Sequence, residues 1–123
     1  MTASLTTPSG VTLTLLVARS FWSRLRGLMG YRSFSHDQGL LFPNANSIHM
    51  FFMNFAIDVA FLEKPVQGSA RIKSLRTQLR PWTGLAWSPS AWGTLELAAG
   101  SIERLGLKIG QDIQLSGKDV ANF

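Results

Sequence analysis

The sequence predicts a small, mainly β protein, a β-barrel or sandwich with two short helices. Several short segments alternate apolar with polar residues at a period of two, and turn residues recur about every 8 to 12 positions. Only two segments have helical spacing. A chain of 123 residues fits one domain, which we assign to residues 1–123.

The first elements are predicted to form a hairpin. Residues 11–17 alternate apolar side chains with threonines, so one face of this strand is expected to meet the core. Residues 2–7 can pair with it through a turn at 8–10, where Pro8 fixes its own φ and Gly10 permits unusual backbone angles. The hairpin is therefore the simplest interpretation of the N-terminal segment.

A helix and a strand are predicted next. Apolar residues in 21–29 fall at i, i+4, i+7 and i+8, which is typical of one helix face. Ser20 can cap the first amides and Gly30 can take the left-handed conformation that ends the helix. Residues 39–43 then predict a short strand that Pro43 stops, because proline has no amide hydrogen to donate.

The most apolar segment, 47–62, predicts one strand that is buried on both faces. A strand covered on both sides is an almost continuous apolar run, and aromatic and β-branched residues favour a strand over a helix. Its polar residues are few, namely Ser47, His49, Asn54 and Asp58. The last three are therefore candidates for a functional site.

The C-terminal half predicts several more short elements. Residues 70–75, 94–97 and 112–115 follow the strand pattern, and 101–105 is a short helix that Gly106 ends. Residues 82–92 hold three tryptophans, with prolines and glycines in and around them, and predict a packed irregular loop.

Charge and cysteine content exclude several classes of function. Twelve Lys and Arg against seven Asp and Glu give a net charge of +5, and there are no cysteines. Thiolate zinc sites, thiol catalysis and disulfides are thereby excluded. Eight basic residues lie in two stretches, 19–32 and 71–80, where a groove-reading domain usually has a denser run. We therefore do not expect a nucleic-acid partner, although weak binding through these stretches stays open.

The sequence also predicts a soluble protein with no transmembrane segment. The N-terminus lacks the basic start and long apolar run of a signal peptide, and no window approaches the roughly 18 to 20 apolar residues that span a bilayer. A cytoplasmic location is expected, or export if a signal has been removed.

Five blocks of sequence, in order, resemble a known family of bacterial and archaeal proteins, domain of unknown function number 192. The blocks are Arg24-Leu-Arg-Gly-Leu-Met-Gly30, Gly39-Leu-Leu-Phe42, His49-Met-Phe-Phe-Met-Asn-Phe-Ala-Ile-Asp-Val-Ala-Phe61, Leu95-Glu-Leu-Ala-Ala-Gly100 and Gly106-Leu-Lys-Ile-Gly-Gln-Asp112. The resemblance covers almost the whole chain. It implies a compact, mainly β domain, which in some relatives follows an export signal, and it implies no activity.

Asp58 is the most unusual candidate because it lies within the most apolar segment. A buried carboxylate must be paired, hydrogen-bonded or protonated. Partners could be Arg24, Arg26 or backbone amides, which would make Asp58 structural; otherwise it lines a cleft. Asn54 lies four positions earlier on the same predicted face, so the two polar groups could converge.

His49 and Glu96 complete the candidate set. A lone histidine on an apolar face is more often a satisfied core or rim residue, and metal binding would need more ligands than the sequence offers beside it. Glu96 is expected to be exposed or paired with a nearby arginine, since Leu95 and Leu97 would face the core. The lack of further ligands beside His49 predicts no metal, and the lack of a phosphate-binding loop predicts no cofactor.

Three functional hypotheses follow. The first is a non-catalytic β domain that binds a small ligand or a protein partner near His49, Asn54 and Asp58. The second is a hydrolase-type enzyme that uses Asp58 and His49 as acid and base, which requires the two groups to share a reacting atom. The third is weak nucleic-acid binding through the basic stretches.

Overall fold

This computed structural model of the protein describes residues 2–18, 35–49, 55–82 and 85–117. Those ranges contain nine strands and one short helix. The elements are β1 (Thr2–Thr6), β2 (Thr12–Val17), β3 (Gln38–Pro43), β4 (Ser47–His49), β5 (Ile57–Leu62), β6 (Ser69–Leu79), β7 (Leu85–Trp87), β8 (Gly93–Ala98), α1 (Ser101–Leu105) and β9 (Asp112–Ser116).

Seven of the described strands close into a barrel in the order β1-β2-β3-β8-β5-β6-β9. Pairing of β9 with β1 closes the barrel, and all neighbours are antiparallel except β2 and β3, which are parallel. The remaining strands, β4 and β7, form a separate two-stranded antiparallel sheet. The predicted mainly β barrel is therefore confirmed.

Several predicted elements are found where the sequence pattern placed them. The hairpin of β1 and β2 forms with Thr6 opposite Thr12, and Gly10 in its turn has a φ of 91°. Helix α1 occupies Ser101–Leu105, and Gly106, with a φ of 65°, ends it. The helix predicted over 21–29 lies outside the described residues.

The prediction of one strand over 47–62 is wrong. β4 belongs to the small sheet, and the barrel strand β5 begins only at Ile57. Ile57 pairs with Ala98 at the end of β8 and with Leu79 at the end of β6, so both neighbours stop where β5 starts. A strand without partners for its backbone has no reason to continue. Burial of all six residues of β5 does confirm the prediction of two covered faces.

The predicted irregular loop at 82–92 also needs correction. It contains strand β7, which pairs with β4, and its side chains are not all packed. Trp82 and Trp87 are 53% and 56% exposed, whereas Trp92 packs against the core.

Alternation along the strands produces two apolar clusters. The barrel interior is filled mainly by leucines, among them Leu41, Leu95 and Leu97. The second cluster lies on the other face of β3, β5 and β8, and we call it the outer layer. Its buried members are Ala18, Leu40, Phe42, Ile57, Val59, Phe61 and Ala86.

Candidate functional site

The Asp58 side chain lies in the barrel interior and is completely buried. Its Oδ1 atom accepts a hydrogen bond from the Gln78 amide at 2.9 Å, and its Oδ2 atom accepts one from the Ile102 amide at 2.9 Å. Both carboxylate oxygens therefore have backbone partners, which offset the cost of burying this polar group.

These two amides are free because of local irregularities in the chain. Between the pairs Ile57 with Leu79 and Val59 with Arg76, β6 has one residue more than β5, which is a β-bulge. Gln78 lies in this bulge with a φ of 49°. Ile102 lies in the first turn of α1, where amides have no partner within the helix. Asp58 thus ties the bulge and the helix to β5.

Glu96 is buried on the opposite side of the sheet. It lies between Leu40 of β3 and Val59 of β5 in the register, and both neighbours belong to the outer layer. Glu96 is 4% exposed, and its Oε2 atom has no hydrogen-bond partner among the described residues. The expectation of an exposed glutamate is wrong, because the outer layer covers this face of β8 as well.

Burial raises the pKa of Glu96 from 4.5 to about 8. The cause is desolvation, which disfavours the charged form in an apolar environment. The carboxyl group is therefore mostly protonated at neutral pH. In this form it has an O–H group that can donate and a carbonyl oxygen that can accept.

The site residues predicted from the sequence do not all lie together in one site. Asp58 pairs with Leu97, a residue of the barrel interior, whereas the next residue, Val59, pairs with Glu96. Because successive side chains of a strand point to opposite faces, the two acidic groups lie on opposite sides of the sheet. His49 lies at the end of β4, opposite Leu85. Asn54, Arg24 and Arg26 lie outside the described residues.

The small sheet is attached over the outer layer. Ala86 of β7 is a buried member of that layer, and Ala45 packs against it just before β4. The Thr94 hydroxyl, two residues from Glu96 on the same face of β8, donates a 2.7 Å hydrogen bond to the Ala45 carbonyl. The small sheet that contains His49 is therefore attached to the same layer as Glu96 through Ala45 and Ala86.

Other chemistry is limited in the described ranges. Within them, no group of three or more His, Asp or Glu residues is placed to hold a metal ion. They also contain no helix that is long and apolar enough to cross a membrane. Arg71 and Asp112 form an exposed salt bridge of 3.5 Å between β6 and β9. Asp112 begins β9, in agreement with the strand predicted over 112–115.

Known proteins resemble this chain in sequence. The model of the DUF192 family, described as "Uncharacterized ACR", matches residues 4–115. The chain belongs to the DUF192 family. A "UPF0127 protein" of Thermococcus sibiricus is 33% identical over an alignment of 101 residues that covers 79% of this chain and 62% of the relative. The chain thus spans less than two thirds of that relative's length. The family is one of unknown function.

Solved structures share the fold of this DUF192 chain. A "putative transcription regulator" from Sinorhizobium meliloti 1021 has a TM-score of 0.77 at 26% identity, covering 93% of this chain and 92% of that one. A protein of unknown function from Novosphingobium aromaticivorans DSM 12444 has a TM-score of 0.72 at 20% identity, covering 93% and 84%. The second likeness is one of fold alone.

Proposed function

We propose that the protein is a non-catalytic binding domain whose ligand is held on the face of β5 and β8 that carries Glu96 and the outer layer, near the small sheet in which His49 lies. Asp58 supports this region from the opposite face of β5, and Asn54 stays a candidate from the sequence alone. Glu96 is the group in this region that we expect a ligand to meet. The ligand class that fits is a small molecule with an apolar body and one hydrogen-bonding or cationic head. Because Glu96 is only 4% exposed, a narrow head group can reach it more readily than a broad protein surface.

The observation that carries this proposal is the buried Oε2 atom of Glu96, to which no residue in the described part of the chain donates a hydrogen bond. A buried polar group that lacks a hydrogen bond costs about 1 to 3 kcal/mol, and an apolar residue between Leu40 and Val59 would avoid that cost. Stability therefore does not explain a glutamate at this position. A bound group that satisfies the oxygen does explain it.

Asp58 has a supporting role in this proposal. Its two hydrogen bonds hold the start of β5 against the bulge and α1, and β5 carries Ile57 and Val59 of the outer layer on its other face. The hydrolase alternative receives no such support. A general base must reach the proton that it abstracts, whereas both Asp58 oxygens already accept backbone amides inside the barrel.

Methyl-resolved NMR tests the binding function. The protein is titrated with hexylamine and hexanamide, which have a donor head, and with hexane-1-thiol, whose head is a much weaker donor. We expect saturable shifts of the Val59 and Leu40 methyl signals with the first two probes, and loss of this response in Glu96→Gln for hexylamine. Glu103→Gln, which makes the same chemical change at an exposed position of α1, is the matched control. A response that is equal in both variants, or absent altogether, would reject the proposal.

A further inference from the structure

A second candidate surface is formed by a part of the chain in which all charged residues are basic. No acidic residue occurs between Glu63 and Glu96, yet this stretch contains five Lys and Arg and three of the four tryptophans. Most of it forms β6, the turn that follows it, and β7. Charge and aromatic side chains are therefore concentrated in consecutive elements.

Two arginines near the end of β6 are exposed and form no salt bridge with the described residues. These are Arg76 and Arg80. By contrast, Arg71 at the other end of the strand is paired with Asp112, which neutralises its charge locally. Positive charge that is free to meet an anion is thus found at the end of β6 that leads to Trp82.

Two exposed tryptophans, Trp82 and Trp87, belong to the same stretch of chain. Trp87 is next to Ala86, which is buried in the outer layer, so alternation turns the Trp87 ring away from the barrel. Leu79 packs against the same layer, so the end of β6 and β7 both adjoin the outer layer. Trp82, two residues after Arg80, is 53% exposed and has an unusual φ of 68°. We call Arg76, Arg80, Trp82 and Trp87 the basic aromatic surface.

We propose that the basic aromatic surface binds single-stranded nucleic acid, with the arginines on phosphates and Trp87 stacked on a base. Single strands are bound without sequence preference where positive charge follows the backbone and aromatic rings accept the bases. An anionic membrane fits less well, because the other large apolar side chains that are exposed in the described ranges lie on separate loops. Val66, for example, is in the turn at the opposite end of β6. This inference is independent of the proposed ligand at Glu96.

Fluorescence anisotropy with labelled oligo(dT) and oligo(U), each about 12 nucleotides long, tests this inference. The double variant Arg76→Gln/Arg80→Gln is expected to weaken binding at least tenfold at about 50 mM salt. It should also reduce the slope of log K against log salt by about 1.4, since each phosphate contact on a single strand contributes about 0.7. The matched control, Lys64→Gln/Lys108→Gln, removes the same charge from other loops and should change binding less than threefold.

The aromatic contribution is tested separately. Trp87→Ala should weaken binding at least fivefold without changing the salt slope, and Trp87→Phe, which keeps an aromatic ring, should restore most of the affinity. Unchanged thermal unfolding of each variant shows that the fold is retained. The inference is overturned if the arginine and lysine double variants lose the same affinity, or if Trp87→Ala binds as the wild type does. It is also overturned if the wild type does not bind at about 50 mM salt. Binding to phosphatidylserine vesicles but not to either oligonucleotide would also overturn it, in favour of a membrane. Comparison of the two oligonucleotides distinguishes RNA from DNA as the preferred strand.

Discussion

Replacing Glu96 by glutamine should remove a large part of the pH dependence of stability. In the folded protein the Glu96 carboxyl group has a pKa of about 8, and its ordinary value of 4.5 applies to the unfolded chain. Between these two values the folded state holds a proton that the unfolded state has released. Stability therefore falls as the pH rises through this window, and it levels off above pH 8.

The size of the effect follows from the shift. Each pH unit between the two pKa values lowers the free energy of unfolding by about 1.4 kcal/mol. From pH 5 to pH 8 the Glu96 contribution should therefore fall by about 3 to 4 kcal/mol, a large fraction of the stability of a typical domain. Glutamine has nearly the same shape and does not titrate, so Glu96→Gln should lack this component while retaining those of all other groups.

Urea unfolding followed by tryptophan fluorescence, at four pH values from 5 to 8, measures the difference between the two proteins. We expect the wild type to lose about 3 to 4 kcal/mol relative to Glu96→Gln over this range. Glu103→Gln, at an exposed position, should run parallel to the wild type. If Glu96→Gln also runs parallel to the wild type within about 1 kcal/mol, the carboxyl group is not desolvated as described.

Three smaller changes test the packing around the site. Asp58→Asn should cost about 2 to 3 kcal/mol in urea unfolding, because the new amide nitrogen would face one of the two backbone donors. Asp112→Asn, which breaks only an exposed salt bridge, should cost less than about 0.5 kcal/mol. Gly39→Ala should cost about 1 to 2 kcal/mol by the same assay, because its added carbon would lie 2.8 Å from a Leu15 methyl group. A neutral result would show that the Leu15 side chain moves aside. Thr94→Val should cost about 1 kcal/mol and speed hydrogen exchange of the Ser88 amide, which donates to the Asn46 carbonyl at the end of the small sheet. Unchanged exchange would mean that the sheet is held by other contacts.

Local patterns were enough to predict much of the barrel. The alternation in β2, the proline and glycine of its turn, and the glycine that ends α1 act over a few residues, so their effects can be read from the sequence. The break between β4 and β5 could not be predicted in this way. It depends on where β6 and β8 end, and those partners are distant in sequence.

The burial of Glu96 was missed for a similar reason. Alternation in β8 indicates that Glu96 faces away from Leu95 and Leu97, but it does not indicate whether that other side is covered. One signal was available. The uninterrupted apolar run of β5 predicted two covered faces, and a strand hydrogen-bonded to β5 shares the cover on both of them. The pairing of β5 with β8 was the missing information.

Substitutions at Asp58 and at Glu96 test different properties, because the two buried carboxyl groups have different surroundings. The Asp58 carboxylate accepts hydrogen bonds from two backbone amides. These amides remain in any Asp58 variant and lose their acceptor, so such a variant would perturb the fold and reveal little about binding. One oxygen of Glu96 has no partner within the ranges that the structure describes, so a neutral isostere there tests the binding region while keeping the shape of the outer layer. Arg76 and Arg80 are exposed, and their replacement should leave the Glu96 titration unchanged. Conversely, Glu96→Gln should bind oligonucleotides as the wild type does, and a change in both properties with either variant would show that the two surfaces are coupled.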